Sequence, residues 1–273
     1  MPIPWEPEFP PPSPLLDSVS GVASRLAQRA AWPSLHDYQT LLRSAASPVT
    51  NAAGKTLKCV AHSKLAQGAS RSYENTVFLS GKLPTRTANW HDLFNVLAWA
   101  CYPQTKAALN RLHYETTLQS GETSGRGRVR DKVTLFDESG VAVACANVKL
   151  AVLLQEFSWK ELLWRRREQV ATQMKFFLFG HGLLEKALHP FIGMTGQGIV
   201  LPVTHGWLTQ PLEAQTKSLD SMLSDRWSNA SAMTGERFNP IPLLGVPGFW
   251  PDNARESFYD NTDYFRPGRH SPK

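Results

Sequence analysis

Apolar residues recur with the period of an α-helix along much of the chain. In the first such segment, Leu15, Val19 and Leu26 fall on one helical face, which predicts an amphipathic helix over residues 15–31. The same criterion predicts further helices over residues 34–46, 90–101, 104–117, 147–171 and 209–228. Between 90–101 and 104–117, Pro103 is favoured at the first turn of the second helix.

Shorter apolar runs have the length and composition of β-strands, which predicts strands over 56–62, 75–80 and 199–204. Segment 132–145 predicts a β-hairpin that turns near Gly140, so Asp137 and Glu138 are interpreted as turn residues. Segment 174–188 predicts a strand, a Gly-His-Gly turn and the start of a helix. A single buried helix over that whole segment is the alternative.

Together these elements predict an α+β protein, helix-rich, with a small antiparallel sheet and one β-hairpin. We expect a single globular domain over residues 15–270. Residues 1–14 contain seven prolines, which predicts an extended arm because proline lacks an amide donor and has a fixed φ. Trp5 and Phe9 either dock this arm onto the domain or belong to a flexible tail.

Two other segments lack a regular period. The polar, glycine-rich segment 119–128 predicts a loop and is the best candidate for a mobile part of the chain. Residues 240–267 combine Pro, Gly, Asn and Asp with six aromatic residues. Because those aromatic side chains require burial, this segment predicts a long ordered coil across the body of the protein.

Composition narrows the class of protein. Hydrophobic residues make up 42% of the chain and charged residues 19%, which is typical of a globular protein rather than a disordered one. The three cysteines form no C-x-x-C pair, which argues against a cysteine-based zinc site. The most apolar run, 141–154, is too short for a membrane span. With no signal peptide recognised at the N-terminus, we expect a cytoplasmic protein without a membrane partner.

The net charge of +6 and the pI of about 9.3 favour an anionic partner, either a phosphate-bearing small molecule or nucleic acid. The densest basic segments are 126–132 and 165–167. The chain has no phosphate-binding G-x-x-x-x-G-K-[ST] motif and no G-x-G-x-x-G motif, so no nucleotide cofactor is predicted.

The candidate chemistry lies in 89-NWHDLFNVLAWACYPQTKAALNRLH-113, an apolar segment that carries unusually many polar groups. On the first predicted helix, His91 and Asn95 share a face, and on the second, Lys106, Asn110 and His113 do. A buried polar group costs about 1–3 kcal/mol when it has no partner. These side chains therefore either form a complete hydrogen-bond network between two helices or bind a ligand.

Several of these side chains are suitable ligands for zinc, manganese or iron. His181 and Glu185, four residues apart, supply two further ligands or an acid–base pair, although an ordinary helical contact is the alternative. The candidate metal ligands are His91, Asp92, His113, His181 and Glu185. The candidate catalytic residues are His91, Asp92, His181 and Glu185. The candidate substrate-binding residues are Arg86, Asn95, Lys106, Asn110 and Arg130.

Two functions are compatible with these residues. The first is a metal-dependent hydrolase, in which the metal activates water and Arg86, Lys106 or Arg130 binds an anionic, phosphoester-like substrate. The second is a non-catalytic basic protein that binds nucleic acid or another anionic partner. The position of the polar groups inside apolar elements favours the enzyme.

Five blocks of the sequence resemble a bacterial family of unknown function, the one numbered 3025. They are residues 84–113, 130–140, 159–167, 179–188 and 245–267, with NWHDLFN the most specific part. The likeness extends from about residue 20 to 267. It implies a bacterial protein, and it implies that the candidate residues above, other than Arg86 and Arg130, match positions in the family's motifs, as does Asp131. It implies no activity.

Overall fold

A computed structural model of the chain describes residues 4–43, 48–62, 72–118, 124–228 and 237–268, leaving out the side chains of 124–126. Residues 1–3 of the predicted arm, 44–46 of a predicted helix and 119–123 of the predicted loop lie outside the described residues. The α-helices are α1 (Asp17–Ala23), α2 (Leu35–Arg43), α3 (Tyr73–Ser80), α4 (Trp90–Cys101), α5 (Pro103–Leu118), α6 (Ser124–Ser139), α7 (Val148–Gln155), α8 (Arg167–Gln173), α9 (His181–Lys186), α10 (His205–Leu208) and α11 (Leu212–Ser228). The strands are β1 (Lys58–Ala61), β2 (Lys82–Thr85), β3 (Gly140–Cys145), β4 (Met174–Leu178), β5 (Thr195–Pro202) and β6 (Asn239–Pro242).

The strands form two small sheets. One has four strands in the order β4-β3-β5-β6, in which β3 is antiparallel to β4 and parallel to β5, and β5 is antiparallel to β6. The other is the parallel pair β1–β2. The α+β class is confirmed, while the pairing within the sheets is mixed rather than antiparallel throughout.

Both faces of the four-stranded sheet are covered. Val141 and Val143 of β3 pack into one hydrophobic cluster with helices α1, α4 and α9. Ala142 and Ala144 pack into a second cluster with helices α5, α6 and α11. Because successive side chains of a strand point to opposite faces, a strand buried on both sides is apolar throughout, which explains the continuous run in β3.

The proline-rich arm is docked on the body rather than a flexible tail. Trp5 stacks on Trp90 with ring centroids 5.1 Å apart, and its indole N–H donates to the carbonyl oxygen of Arg29. Phe9 is 1% exposed and packs against Trp90 and Phe94. The arm therefore covers the start of α4. The division of the chain at residue 14 stays a prediction.

The predicted hairpin over 132–145 is wrong, because residues 124–139 form helix α6 and only β3 is a strand. Val129, Val133 and Phe136 are all buried, at helical spacing, whereas Leu135 is 43% exposed. Burial thus follows the period of a helix, while the local run of β-branched and aromatic residues favoured a strand. Asp137 and Glu138 consequently lie on the last turn of a helix and not in a hairpin turn.

The predicted strand over 75–80 is also wrong, since helix α3 occupies it. The Ser72 side chain caps the helix by accepting from the amide of Asn75, and Gly81 ends it in the left-handed conformation with φ of 68°. These two end signals outweigh the strand propensity of Thr76, Val77 and Phe78. The strand of this region, β2, begins one residue after the glycine.

Most other predicted elements are confirmed, but residues 124–128 of the predicted loop belong to α6, and the predicted helix over 15–31 ends at Leu26. Helices α4 and α5 correspond to 90–101 and 104–117, and β4 followed by α9 replaces the alternative of a single helix over 174–188. The stretch over 147–171 is divided into α7, a π-helix over Lys160–Arg165 and α8. The C-terminal coil begins with β6, continues as three short 3₁₀ helices, and is anchored by Tyr264, whose hydroxyl donates to the carbonyl oxygen of Met194.

Candidate metal centre

His91 lies in the first turn of α4, and the start of that helix is fixed from two sides. The Asn89 side chain caps it by accepting from the amide of Asp92 at 3.0 Å. Trp90 is buried under the N-terminal arm. Since Trp90 points into the core, its neighbour His91 is turned toward α9, which packs against α4.

His181 begins α9 at the point where the chain leaves β4 and crosses the end of α6. The amides of Phe179 and Gly180 both donate to the carbonyl oxygen of Gly140. A Cβ atom at Gly180 would lie 2.4 Å from the amide nitrogen of Ser139, a contact that no side-chain-bearing residue tolerates. The absence of a side chain at Gly180 therefore makes room for the backbone of α6.

This crossing brings together one side chain from each of three helices. Glu138 Oε1 lies 3.4 Å from His181 Nε2 and 3.7 Å from His91 Nε2. The two imidazole rings are 4.5 Å apart at their centroids. One potential ligand atom of each residue lies within 4.8 Å of those of the other two. The structure therefore joins the two histidine-bearing segments into one site and adds Glu138, which the sequence analysis had set aside.

The hydrogen bonds of the two histidines determine which ring nitrogens carry protons. His181 Nδ1 lies 2.7 Å from the carbonyl oxygen of Asp137, which can only accept, so Nδ1 holds the hydrogen. Burial lowers the pKa of His181 to about 3, which leaves the ring neutral. His91 Nδ1 lies 3.1 Å from Glu185 Oε2 and also donates. Both Nε2 atoms then point toward the same carboxylate.

The pKa values of His91 and Glu138 are both shifted upward. The hydrogen bond to Glu185 raises the pKa of His91. Burial, reinforced by the neighbouring charge of Asp137, raises the pKa of Glu138. When Glu138 is ionised, its carboxylate and the unprotonated Nε2 of His181 are both acceptors, and they face each other across 3.4 Å. A proton or a metal ion between them resolves that conflict.

A buried ion pair supports this centre from behind. Lys106 Nζ lies 2.6 Å from Asp137 Oδ1, and Lys106 is 4% exposed. Burial opposes the ionised form of Asp137, but the Lys106 charge and hydrogen bond outweigh it and hold the pKa of that carboxyl below its usual value. Lys106 thus fixes the residue whose backbone carbonyl orients His181.

Three predicted ligands are placed outside the cluster. Asp92 accepts from the backbone amide, Nε and guanidinium nitrogen of Arg86, at 2.6, 3.1 and 2.7 Å, so its oxygens are occupied. Glu185 contacts Nδ1 of His91, the ring nitrogen that faces away from Glu138. It therefore orients the ring and does not join the cluster of ligand atoms. His113 lines a cavity that opens beside the cluster, and burial there lowers its pKa. It does not belong to the group of converging ligand atoms.

The predicted substrate-binding residues are also committed to protein partners or lie apart. Asn95 Nδ2 donates to the Tyr73 hydroxyl at 2.6 Å. Asn110 Nδ2 donates to Glu74 Oε2 at 2.7 Å and to its carbonyl oxygen at 3.0 Å. Arg86 and Lys106 are each paired with an aspartate. Arg130 is exposed on α6 and does not line the cavity.

A cavity of about 440 Å³ opens onto the cluster. It is lined by His62, Tyr73, Glu74, Pro84, Arg86, His91, Asp92, Asn95, His113, Thr134, Asp137, Glu138 and His181. Tyr73 and Glu74 are not among the predicted site residues, because the sequence of α3 favours a strand. Asp137 and Glu138 are not among them either, because the sequence of α6 favours a hairpin. The buried spacing of Val129, Val133 and Phe136 is the signal in the sequence that identifies α6.

None of the described helices combines the length and the apolar character that crossing a membrane requires.

Comparison with known proteins identifies a family without indicating an activity. The sequence model of the family described as proteins of unknown function, DUF3025, matches residues 57–269. This range contains all three residues of the cluster but not the arm that packs on Trp90. No curated protein and no solved structure matches the chain.

Proposed function

The chain belongs to the DUF3025 family, and we propose that it is a metal-dependent hydrolase whose divalent metal is bound by His91, Glu138 and His181. The observation that carries this proposal is the direction of the two imidazole rings. Each donates through Nδ1 to an oxygen acceptor and presents Nε2 to the shared carboxylate. Metal-binding histidines are typically oriented in this way, with the second nitrogen hydrogen-bonded to a carboxylate or a backbone carbonyl.

The spacing of the ligand atoms supports a small cation. In a tetrahedral zinc site with bonds of about 2.1 Å, neighbouring ligand atoms lie about 3.4 Å apart. The distances of 3.4 and 3.7 Å from Glu138 Oε1 to the two Nε2 atoms agree with that value. Zinc is the first metal to test, and manganese and iron also bind two histidines and one carboxylate.

Three protein ligands leave a coordination position for water, which is the arrangement of catalytic rather than structural zinc sites. A metal bound there would lower the pKa of that water to about 7 and generate a nucleophile at neutral pH. The cavity beside the cluster provides the space for a substrate. These two features favour hydrolysis over a purely structural role for the metal.

The charges of the cavity favour this enzyme over the basic binding protein. Among the described residues that line the cavity, four carry a carboxyl group, Glu74, Asp92, Asp137 and Glu138, against one arginine. Arg86 is bound to Asp92, and Lys106, behind the wall, is bound to Asp137. Arg86 and Lys106, which the sequence predicted to bind a phosphoester-like substrate, are therefore both paired. We propose hydrolysis at a metal without assigning a phosphoester substrate.

The test is the zinc, manganese and iron content of tag-free protein, measured by elemental analysis for the wild type, His91→Gln and Glu138→Gln. His205→Gln, an exposed histidine on α10, is the matched control. We expect about one metal ion per chain in the wild type and the control, and a loss in the two site variants. Absence of metal binding in the wild type after incubation with each ion, or equal loss in the control, contradicts the metal centre.

Catalysis requires a second measurement on the metal-loaded protein. Release of nitrophenol from nitrophenyl acetate and of nitroaniline from amino-acid nitroanilides is followed with and without the metal. We expect turnover that disappears with Glu138→Gln and is retained in His205→Gln. A stoichiometric metal with no metal-dependent turnover on either class of substrate contradicts the hydrolase and leaves the metal centre standing.

A further inference from the structure

Accepting the proposed hydrolase, we infer that its substrate carries a cationic nitrogen group, an ammonium or a guanidinium, which Glu74 and Asn95 bind at the wall of the same cavity. This assigns a role to two residues outside the metal cluster. It also replaces the anionic substrate expected from the sequence with one of opposite charge.

Glu74 is held in place but has no cationic partner within the part of the chain that the structure describes. Its Oε2 accepts from Asn110 Nδ2 at 2.7 Å, and the same nitrogen donates to the Glu74 carbonyl oxygen at 3.0 Å. These two bonds fix the carboxylate on the first turn of α3, at the cavity wall. Among the described residues, no lysine, arginine or histidine forms an ion pair with Glu74, and the nearby Lys106 is bound to Asp137.

The ionisation of Glu74 agrees with a missing counter-charge. Burial, followed by the charge of Asp137, raises the pKa of Glu74 to about 7, although Lys106 and Asn110 act in the other direction. A cation bound beside the carboxylate would remove that penalty, because an opposite charge at short range favours the ionised form. A positively charged ligand would therefore stabilise the ionised form of Glu74.

Asn95 offers a second acceptor. Its Nδ2 donates to the Tyr73 hydroxyl at 2.6 Å, and its Oδ1 is buried without a hydrogen-bond partner in the described ranges of the chain. Behind this wall, Asn110 Oδ1 is also buried without a partner among the described residues, and its amide cannot be reversed, since Nδ2 already donates to two oxygens. The described groups around Glu74 thus include more acceptors than donors, and the N–H groups of a cationic ligand supply what is missing.

Among the described residues, an anion finds no comparable partner. The three donor groups of Arg86 that face Asp92 are occupied by its carboxylate, and Lys106 is 4% exposed. A cavity of about 440 Å³ holds a small molecule. The substrate we infer thus has its cationic group at Glu74 and its hydrolysed bond at the metal.

The experiment compares methylguanidinium with methylurea, which have the same shape but differ in charge, and with inorganic phosphate. Methylguanidinium has no lone pair with which to bind a metal. Binding to the full-length protein is measured by isothermal titration, both metal-free and zinc-loaded. The variants are Glu74→Gln, which keeps an acceptor for Asn110, and Asn95→Ala. Glu156→Gln, at an exposed position, is the matched control.

We expect methylguanidinium to bind at least tenfold more tightly than methylurea, Glu74→Gln to abolish that difference, and Glu156→Gln to retain it. Should Glu74→Gln fail to fold, a loss of at least threefold in Asn95→Ala gives the same answer. Equal binding of the two probes, tighter binding of phosphate, or an unchanged preference in Glu74→Gln overturns the inference.

The outcomes separate this inference from the proposed function. Stoichiometric zinc without a preference for methylguanidinium overturns the substrate class and leaves the metal centre standing. A Glu74-dependent preference in a protein that binds no metal supports the cation site and contradicts the hydrolase.

Discussion

His181 donates its Nδ1 hydrogen to the backbone carbonyl oxygen of Asp137, 2.7 Å away, while the carboxylate of the same aspartate is bound to Lys106. One residue thus links the imidazole to a buried ion pair through two different groups. The next residue along α6, Glu138, lies on the opposite side of the imidazole. The carbonyl of Asp137 on one side of the ring fixes the tautomer of His181. Because Glu138 is the next residue of α6, the same helix also positions the shared carboxylate on the other side.

The first prediction concerns the buried ion pair. Lys106→Met leaves the Asp137 carboxylate buried without its partner, so we expect the free energy of unfolding to fall by about 3–5 kcal/mol, as measured by urea denaturation. Adding Asp137→Asn to that variant removes the uncompensated charge and should recover a large part of the loss. The pairing is contradicted if the double variant loses as much free energy of unfolding as the two single variants lose together, or more.

The second prediction separates Glu185 from the metal ligands. Because Glu185 orients His91 rather than binding the metal, we expect Glu185→Ala to weaken zinc affinity about 10- to 100-fold while one zinc still binds at saturation. Glu185→Gln, whose amide oxygen still accepts from Nδ1, should recover part of the affinity. Competition with a chromogenic chelator measures both values. Complete loss of the stoichiometric zinc in Glu185→Ala would make Glu185 a ligand instead.

The third prediction concerns the arm. Trp5 stacks on Trp90 and packs edge-to-face on Trp32, so Trp5→Ala removes a large aromatic contact. We expect the free energy of unfolding to fall by about 3 kcal/mol. Because Trp90 directly precedes His91, zinc affinity at a temperature where the variant remains folded should fall as well. Unchanged stability would mean that the arm does not contribute to the core.

The fourth prediction is a pH dependence. Since the pKa of Glu74 is raised to about 7 in the folded protein, the folded state binds more protons than the unfolded state between about pH 4.5 and 7. The contribution of Glu74 to stability is therefore lost as the pH rises through this window. The partial exposure of this side chain limits the loss to on the order of 2 kcal/mol.

Urea denaturation of wild type and Glu74→Gln at pH 5 and pH 8 measures this effect, with Glu156→Gln as the control. The variant should gain stability relative to the wild type as the pH increases. The prediction is contradicted if wild type and Glu74→Gln differ in free energy of unfolding by the same amount at pH 5 and pH 8.

The sequence predicts helices α4 and α5 well because burial and helical period agree there and both ends carry signals, Asn89 and Pro103. It fails at α3 and α6, where β-branched and aromatic residues favour strands. The signals for helix are local but weaker to the eye: Ser72 and Gly81 mark the ends of α3. The spacing of Val129, Val133 and Phe136 marks the buried face of α6. The site residues also divide into those that the sequence identifies and those that it does not. His91 and His181 are identified from their own segments, whereas Glu138 becomes recognisable only when α6 is placed against α9. Contact between residues 47 and 43 positions apart is a property of the tertiary fold, which local patterns do not encode.

The centre lies where the two sides of the sheet meet. His91 and His181 belong to helices that pack in one hydrophobic cluster, and Glu138 belongs to a helix that packs in the other. A metal ion here would act as a cross-link between the two halves of the core, comparable to a removable disulfide. Because it binds only the folded chain, its concentration would set the resistance of the whole protein to unfolding and proteolysis. In a cell that restricts this metal, the amount of protein would then follow the supply of the ion.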